Sequence, residues 1–175
     1  MGEEERSPDD GTPLGRYVPD GDGSPPVRVV LRDLPVALAM ASREHHDDLL
    51  REYRLLALSG EIDAAHAPAR LVELVEVLGG RYAQAHGRRD EELEAAHAAG
   101  RSVIDQVSEV PAGSLEAVRG LRALMEESDR YCEEARLLTV PRPPLLRRFG
   151  EWFLGEYERQ LQGHPPTPWD GPLQV

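Results

Sequence analysis

The chain has no lysine, one cysteine and no long apolar run, and each of these absences narrows its function. All 20 basic residues are arginine, and with 32 acidic residues the net charge is −12. This excess of negative charge repels a phosphate backbone and an anionic membrane surface, and no basic cluster offsets it. The sequence therefore predicts a protein that binds neither nucleic acid nor membranes.

The single Cys132 excludes an intrachain disulfide framework and a multi-cysteine zinc site, which fits a reducing compartment. No apolar run approaches the roughly 20 residues that span a bilayer. The first residues, MGEEERSPDD, lack the apolar core of a signal peptide. We therefore expect a cytoplasmic protein.

Both ends of the chain are rich in proline and glycine, and the folded domain is expected between them. Residues 1–26 carry five Pro, five Gly and seven acids, so they have little to bury and are predicted to form a disordered acidic tail. Residues 163–175 hold four Pro and are predicted to form a Pro-rich tail without helix. Residues 27–162 then make a single helical domain.

The apolar periodicity predicts a mainly α fold, a bundle of four to five helices. The expected helices cover 34–58, with Pro35 in the first turn, a segment from Pro68, 88–99, a segment capped by Ser114, and 144–162. The segment after Ser114 should bury a stripe from Val118 through Cys132 to Ala135. Segments 27–32 and 102–110 favour strands, and their pairing would add a small two-stranded ribbon.

The stretch REHHDDLL, residues 43–50, places two histidines beside two aspartates and raises the question of a site. On a helical wheel His45 falls in the apolar stripe, His46 falls on its flank, and Asp47 faces solvent, where it can pair with Arg51. The sequence favours a hydrogen-bonded core His45 and a boundary His46 over catalysis. The alternative is histidine phosphotransfer or another enzymatic reaction that uses His45 or His46.

Two short motifs, DAAH (63–66) and EAAH (94–97), imitate the acid-x-x-His pairs of di-iron bundles. Such a centre needs two of those pairs and two further glutamates, all projecting inward from facing helices. Here DAAH precedes Pro68 in a predicted loop and EAAH lies in a short, very polar helix, so chance and solvated charge explain both. Nor does the chain contain a Gly-rich nucleotide-binding segment or a nucleophile elbow. We therefore expect no metal, no cofactor and no catalytic residue.

Three stretches resemble a known group of proteins: LPVALAMASREHHDDLLREYRLLAL, VSEVPAGSLEAVRGLRALMEESDRYCEEARLLTVPRPP and LRRFGEWFLGEYERQLQGHPPTPW. They are similar to small helical actinobacterial proteins associated with anti-sigma ATP-binding proteins and anti-sigma-antagonist domains. The resemblance covers roughly residues 27–169 and depends on helix patterns and on the LLTVPRPP and PPTPW turns. It implies a non-enzymatic regulatory or adaptor role with a protein partner, in sigma-factor partner switching.

The segment HPPTPWDGPL, residues 164–173, suggests where such a partner could bind. Its prolines hold an extended backbone, so little conformational entropy is lost when it docks. One interpretation is intramolecular, with Trp169 covering an apolar edge beside the last helix. The other is that Pro166, Pro168 and Trp169 are presented to a partner as a linear motif.

Overall fold

A computed structural model describes residues 24–59 and 89–174. These residues form, in chain order, strand β1 (Val27–Pro35), helix α1 (Val36–Ser59), helix α2 (89–98), strand β2 (Val103–Val110), helix α3 (Leu115–Glu133) and helix α4 (Pro144–Leu161). The prediction of a mainly helical bundle with a two-stranded ribbon is confirmed. The helix predicted from Pro68 and residues 1–23 of the acidic tail lie outside the described residues.

The two strands pair antiparallel, from Val27 opposite Val110 to Pro35 opposite Val103. Between Leu31 and Leu34 the register shifts, because β1 carries one residue more than β2 there. Asp33 absorbs the extra residue with a left-handed backbone, φ 52°, which an aspartate tolerates better than most residues do. Its N–H donates to the Asp105 carboxylate at 3.0 Å, so the bulge is fixed by a side chain of the facing strand.

Strand β2 buries a face that the sequence does not reveal as apolar. Ile104, Gln106, Ser108 and Val110 point inward, so two polar side chains enter the core. The amide of Gln106 donates to the Arg89 carbonyl of α2, and the Ser108 hydroxyl lies 3.2 Å from the Tyr157 hydroxyl. Because these buried groups find partners, the strand tolerates them without a large desolvation cost.

The core has two parts, one at each end of α1. The larger part joins the ribbon to the beginning of α1, to α2, to α4 and to Trp169. The smaller part joins the later turns of α1 to α3 and to the loop that follows α3; its buried side chains are Leu49, Tyr53, Met125, Cys132 and Leu137. The expectation that Cys132 is buried is confirmed, and burial raises the pKa of its thiol, which disfavours a thiolate.

Three local predictions about helix ends are corrected, two in full and the one for Ser114 in part. Pro35 ends β1 instead of occupying the first turn of a helix, and α1 begins at Val36. Ser114 occupies the N-cap position of α3 as predicted, but it ends a 3-10 turn over Ala112–Ser114, and its side chain makes no capping hydrogen bond. Ala135 lies beyond α3 with a left-handed φ of 54° and is exposed, so the buried stripe ends at Cys132.

Candidate functional site

His46 lies on α1 against α3, where its Nε2 is 3.1 Å from the Met125 sulfur. The ring also makes a hydrogen bond to the backbone of Ser42. Burial of the ring is the largest cause that lowers the pKa of His46 to about 4, and the positive charge of Arg142 adds to it. The imidazole is therefore neutral at physiological pH. A phosphoacceptor histidine has to be reached by a kinase, and this packed placement does not favour that role.

His45 departs from the hydrogen-bonded core residue that the sequence predicts. The residue is only partly buried, yet its Nε2 is buried and makes no hydrogen bond with any part of the chain that the structure describes. Burial is also the main cause that lowers the pKa of His45. The neighbouring aspartates are exposed as expected, but Arg51 pairs with Asp48 at 2.7 Å and not with Asp47.

The lowered pKa of His46, whose ring is partly buried against α3, predicts that stability falls in mild acid. His46 titrates at about 4 in the folded protein and at 6.5 in the unfolded chain, so the unfolded state binds the extra proton between those values. The stability that the neutral ring contributes is therefore complete above about pH 6.5 and is lost as the pH falls towards 4, by up to roughly 3 kcal/mol. Urea unfolding between pH 7.5 and 4.5 measures this loss.

Two substitutions separate His46 from the other titrating groups. His46→Gln is expected to flatten the fall in unfolding free energy between pH 6.5 and 4.5, leaving the smaller contribution of His45. His97→Gln changes an exposed residue of α2 and should keep the wild-type slope. Equal slopes in wild type and His46→Gln would contradict the assignment.

A buried ion pair lies beside the histidines and connects α3 to the segment that precedes α4. Nε and Nη2 of Arg142 donate to the two oxygens of Asp129 at 3.0 and 2.7 Å, and both side chains are less than a tenth exposed. Arg147 adds a second cation, with its Nε 3.6 Å from Asp129 and donating to the Arg142 carbonyl. This bidentate geometry fixes residue 142 and with it the end of the preceding loop.

The loop between α3 and α4 is fixed at its other end by a carboxylate from α1. Glu52 accepts hydrogen bonds from the backbone N–H groups of Leu138 and Thr139 and, at 2.6 Å, from the Thr139 hydroxyl. Leu137 is buried in the smaller core. Three interactions, made by Glu52, by Leu137 and by the Asp129–Arg142 pair, therefore hold the loop over residues 137–143, which we call the TVP loop.

The TVP loop presents two apolar side chains to solvent. Leu138 is 95% exposed and Val140 is 75% exposed, although the backbone on both sides of them is tied to the domain. Leu55, one helical turn after Glu52 on α1, is a further exposed apolar side chain at 62%. A fixed loop that exposes large apolar side chains is typical of a surface that another molecule covers.

The structure places the three predicted partner-binding residues of the C-terminal segment as follows. Trp169 is only 6% exposed; its ring packs against Phe149 and Trp152, and its N–H groups donate to the carbonyls of Arg32 and Pro172. Pro166 is partly buried and Pro168 is exposed. This placement matches the intramolecular interpretation, and it extends the folded unit past residue 162.

Two carboxylates organise this region, Glu52 and Asp129, and the sequence analysis singled out neither of them. Glu52 reads as one more charge in a helix, since its partners lie 86 and 87 residues further along the chain. Asp129 directly follows Ser128 in the predicted stripe, and an acid at the edge of an apolar stripe is a hint of a buried partner. Its partner Arg142 lies between two prolines. The prolines exclude a helix there, but they do not prevent the Arg142 side chain from pairing with a buried acid.

Only one of the two metal motifs, EAAH, lies within the described residues. Glu94 is exposed and pairs with Arg43 at 2.9 Å, and His97 is exposed, whereas Asp63 and His66 lie outside the described residues. Within the ranges 24–59 and 89–174, no three His, Cys, Asp or Glu side chains form a group that could hold a metal ion.

Comparison with known proteins adds no relative. No family model, curated protein or solved structure matches the chain. Among the described helices, none is both long enough and apolar enough to cross a bilayer.

Proposed function

We propose that this protein is a non-enzymatic regulatory or adaptor protein and that it binds its protein partner through the TVP loop. The observation that carries the proposal is the combination of a fixed backbone with exposed Leu138 and Val140. An exposed apolar side chain on a mobile loop loses conformational entropy when it binds. Here Glu52 and the Asp129–Arg142 pair have already removed most of that loss, which favours binding.

The expected energetic contribution of the two side chains is large enough for specific recognition. Moving a Leu or Val side chain from water into an apolar pocket contributes roughly 1.5 to 3 kcal/mol. Two such anchors on one loop therefore change a dissociation constant by roughly 100-fold or more. With a net charge of −12, the protein is expected to meet a partner whose contact surface has a basic rim around an apolar pocket.

The resemblance suggests the class of partner. The TVP loop lies within LLTVPRPP, one of the two turns that carry the likeness to proteins associated with anti-sigma regulation. We therefore propose sigma-factor partner switching as the setting, with an anti-sigma ATP-binding protein or an anti-sigma antagonist as the partner. A location in the cytoplasm accords with this setting.

The proposal is tested by removing the two side chains without touching the loop's anchors. Wild type and the double variant Leu138→Ser, Val140→Ser are immobilised and used to capture proteins from the native cell. The captured protein is then purified and its dissociation constant is measured against both. We expect an increase of at least about 100-fold in the double variant. An anti-sigma or antagonist protein among the captured set supports the proposed setting.

A matched control replaces one Leu and one Val elsewhere on the surface, so that it loses the same apolar groups as the TVP-loop variant. Val107 on β2 is 42% exposed and Leu173 is 39% exposed, so Val107→Ser with Leu173→Ser should leave the affinity unchanged. Equal affinities for the TVP-loop variant and the control would contradict the proposal. A second outcome would also contradict it. If wild type sediments as a homodimer and only the TVP-loop variant sediments as a monomer, the loop binds a second copy of this chain.

A further inference from the structure

A cavity of about 370 Å³ lies between α1, α2, α3 and α4, away from the TVP loop's exposed side chains. Its volume falls within the range of small-molecule pockets, roughly 300 to 1,000 Å³. Most of its wall is apolar, with side chains from three helices that include Leu50, Leu121, Met125, Phe153 and Leu154. Such a wall accommodates the hydrocarbon body of a ligand.

Three arginines line the cavity, and two of them, Arg89 and Arg142, lie beside the same face of α4. Nη1 of Arg142 lies next to Gly150, where a Cβ would approach it to 2.7 Å, so the glycine leaves room for it. Nη1 of Arg89 donates to the hydroxyl of Tyr157. Residues 150 and 157 are seven positions apart, about 10 Å along a helix. The cavity therefore has an apolar stretch of α4 between two arginines.

The two arginines differ in how their charge is balanced. Arg142 is already matched by Asp129, which takes two of its donors. Arg89 is partly buried and donates to the hydroxyls of Ser108 and Tyr157. Among the residues that the structure describes, no carboxylate forms an ion pair with Arg89. A partly desolvated guanidinium whose bonds to the described residues are made to neutral hydroxyls favours an anionic ligand, because a charge-assisted pair replaces weaker hydrogen bonds.

The acids that line the cavity do not reverse this preference. Asp47 is exposed and the side chain of Asp90 is 49% exposed, so water screens their charge. Asp90 is also 3.8 Å from Arg43, whose charge opposes its own.

We propose that the cavity binds a small monocarboxylate with an apolar chain, such as a medium-chain fatty acid. The carboxylate pairs with Arg89, and the chain lies along Phe153 and Leu154 towards Arg142. Arg142 both lines this cavity and anchors the TVP loop, but Leu138 and Val140, the side chains proposed to meet a partner, do not line it. The protein would therefore bind a small organic anion as well as a partner protein.

The test titrates the full chain with decanoate and, as matched probes, with 1-decanol and decylammonium, followed by calorimetry. We expect saturable binding of one decanoate and at least about 10-fold weaker binding of the alcohol, which cannot form the charge-assisted bonds. Arg89→Gln should weaken decanoate binding by about 10-fold and leave the affinity for 1-decanol unchanged. Arg101→Gln, an exposed arginine outside the cavity, should bind decanoate as wild type does.

A filling variant checks that binding occurs in the cavity. Leu154→Trp places a larger side chain in the space and is expected to abolish binding of decanoate and decanol, with folding confirmed by the thermal transition. The proposal is overturned if wild type shows no saturable decanoate binding, or if decanol binds as tightly as decanoate. It is also overturned if decylammonium binds more tightly, or if folded Leu154→Trp or Arg89→Gln binds decanoate as wild type does.

Discussion

Trp169→Ala is expected to lower the free energy of unfolding by roughly 3 to 5 kcal/mol, the range for removing a buried tryptophan. The indole packs against Phe149 at 5.9 Å and Trp152 at 5.4 Å between ring centres, and Arg148 lies over its face. Its loss leaves a cavity and removes the apolar anchor of the segment after α4. That segment keeps polar contacts such as the bonds from the residue 169 N–H to the Arg32 carbonyl and from the Thr167 N–H to Glu156. Urea denaturation at neutral pH measures the effect.

Pro168→Ala provides the control, because Pro168 is exposed beside Trp169. It should change the free energy of unfolding by no more than about 0.5 kcal/mol through lost contacts. Alanine also gives the unfolded chain more conformational entropy than proline does, which lowers the stability slightly. If Trp169→Ala costs less than about 1 kcal/mol while partner capture is lost, the segment is a linear motif after all and its packing is incidental.

The second large effect is expected at the buried ion pair. Asp129→Ala leaves the Arg142 guanidinium in the interior without its bidentate acceptor, and breaking such a pair costs roughly 3 to 5 kcal/mol. Arg147 lies only 3.6 Å from the same carboxylate and keeps its own partner Glu133, so the variant leaves the unpaired Arg142 beside a second cation. Chemical denaturation is the appropriate measurement, with the TVP loop's order followed by amide exchange at Leu138 and Thr139.

A double replacement distinguishes the loss of the pair from the burial of an unpaired charge. Asp129→Leu with Arg142→Met removes both charges and should recover most of the lost stability, because a well-packed apolar pair is often neutral or better. Glu133→Gln removes an exposed partner of Arg147 and should cost at most about 1 kcal/mol. A double variant no more stable than Asp129→Ala would show that packing, not charge, dominates at this position.

The sequence predicts the elements of this fold well where a single face repeats along one segment. Leu38 and Leu49 in α1, and Met125 and Cys132 in α3, are buried as their spacing requires. The antiparallel pairing of β1 with β2 is also as expected, although β2 buries Gln106 and Ser108. Polar residues enter that face because Arg89 and Tyr157 meet them there, and no local pattern contains those two partners.

The candidate sites were less accessible to sequence reasoning for the same physical reason. A periodicity argument ranks His45 as deeper than His46, yet the larger fall in pKa is at His46, because α3 brings Met125 against it. The exposure of Leu138 and Val140 depends on Glu52, which a helical wheel assigns simply to a polar surface. Interactions between distant segments decide both the pKa of His46 and the exposure of the loop side chains. The spacing of residues within one segment does not contain those interactions.

Gln160 of α4 has a consequence for how the protein is made. Its side-chain amide imitates a neighbouring strand: the carbonyl accepts from the Val30 N–H at 2.8 Å and the NH₂ donates to the Val30 carbonyl at 2.9 Å. These two residues are 130 positions apart, so during synthesis β1 leaves the ribosome long before the side chain that completes its edge. A nascent chain stalled before residue 160 exposes an unpaired, β-branched strand edge, the kind of surface that chaperones protect and that aggregates form on. The free edge of β1 is therefore covered at Val30 only after α4, with Gln160, has left the ribosome.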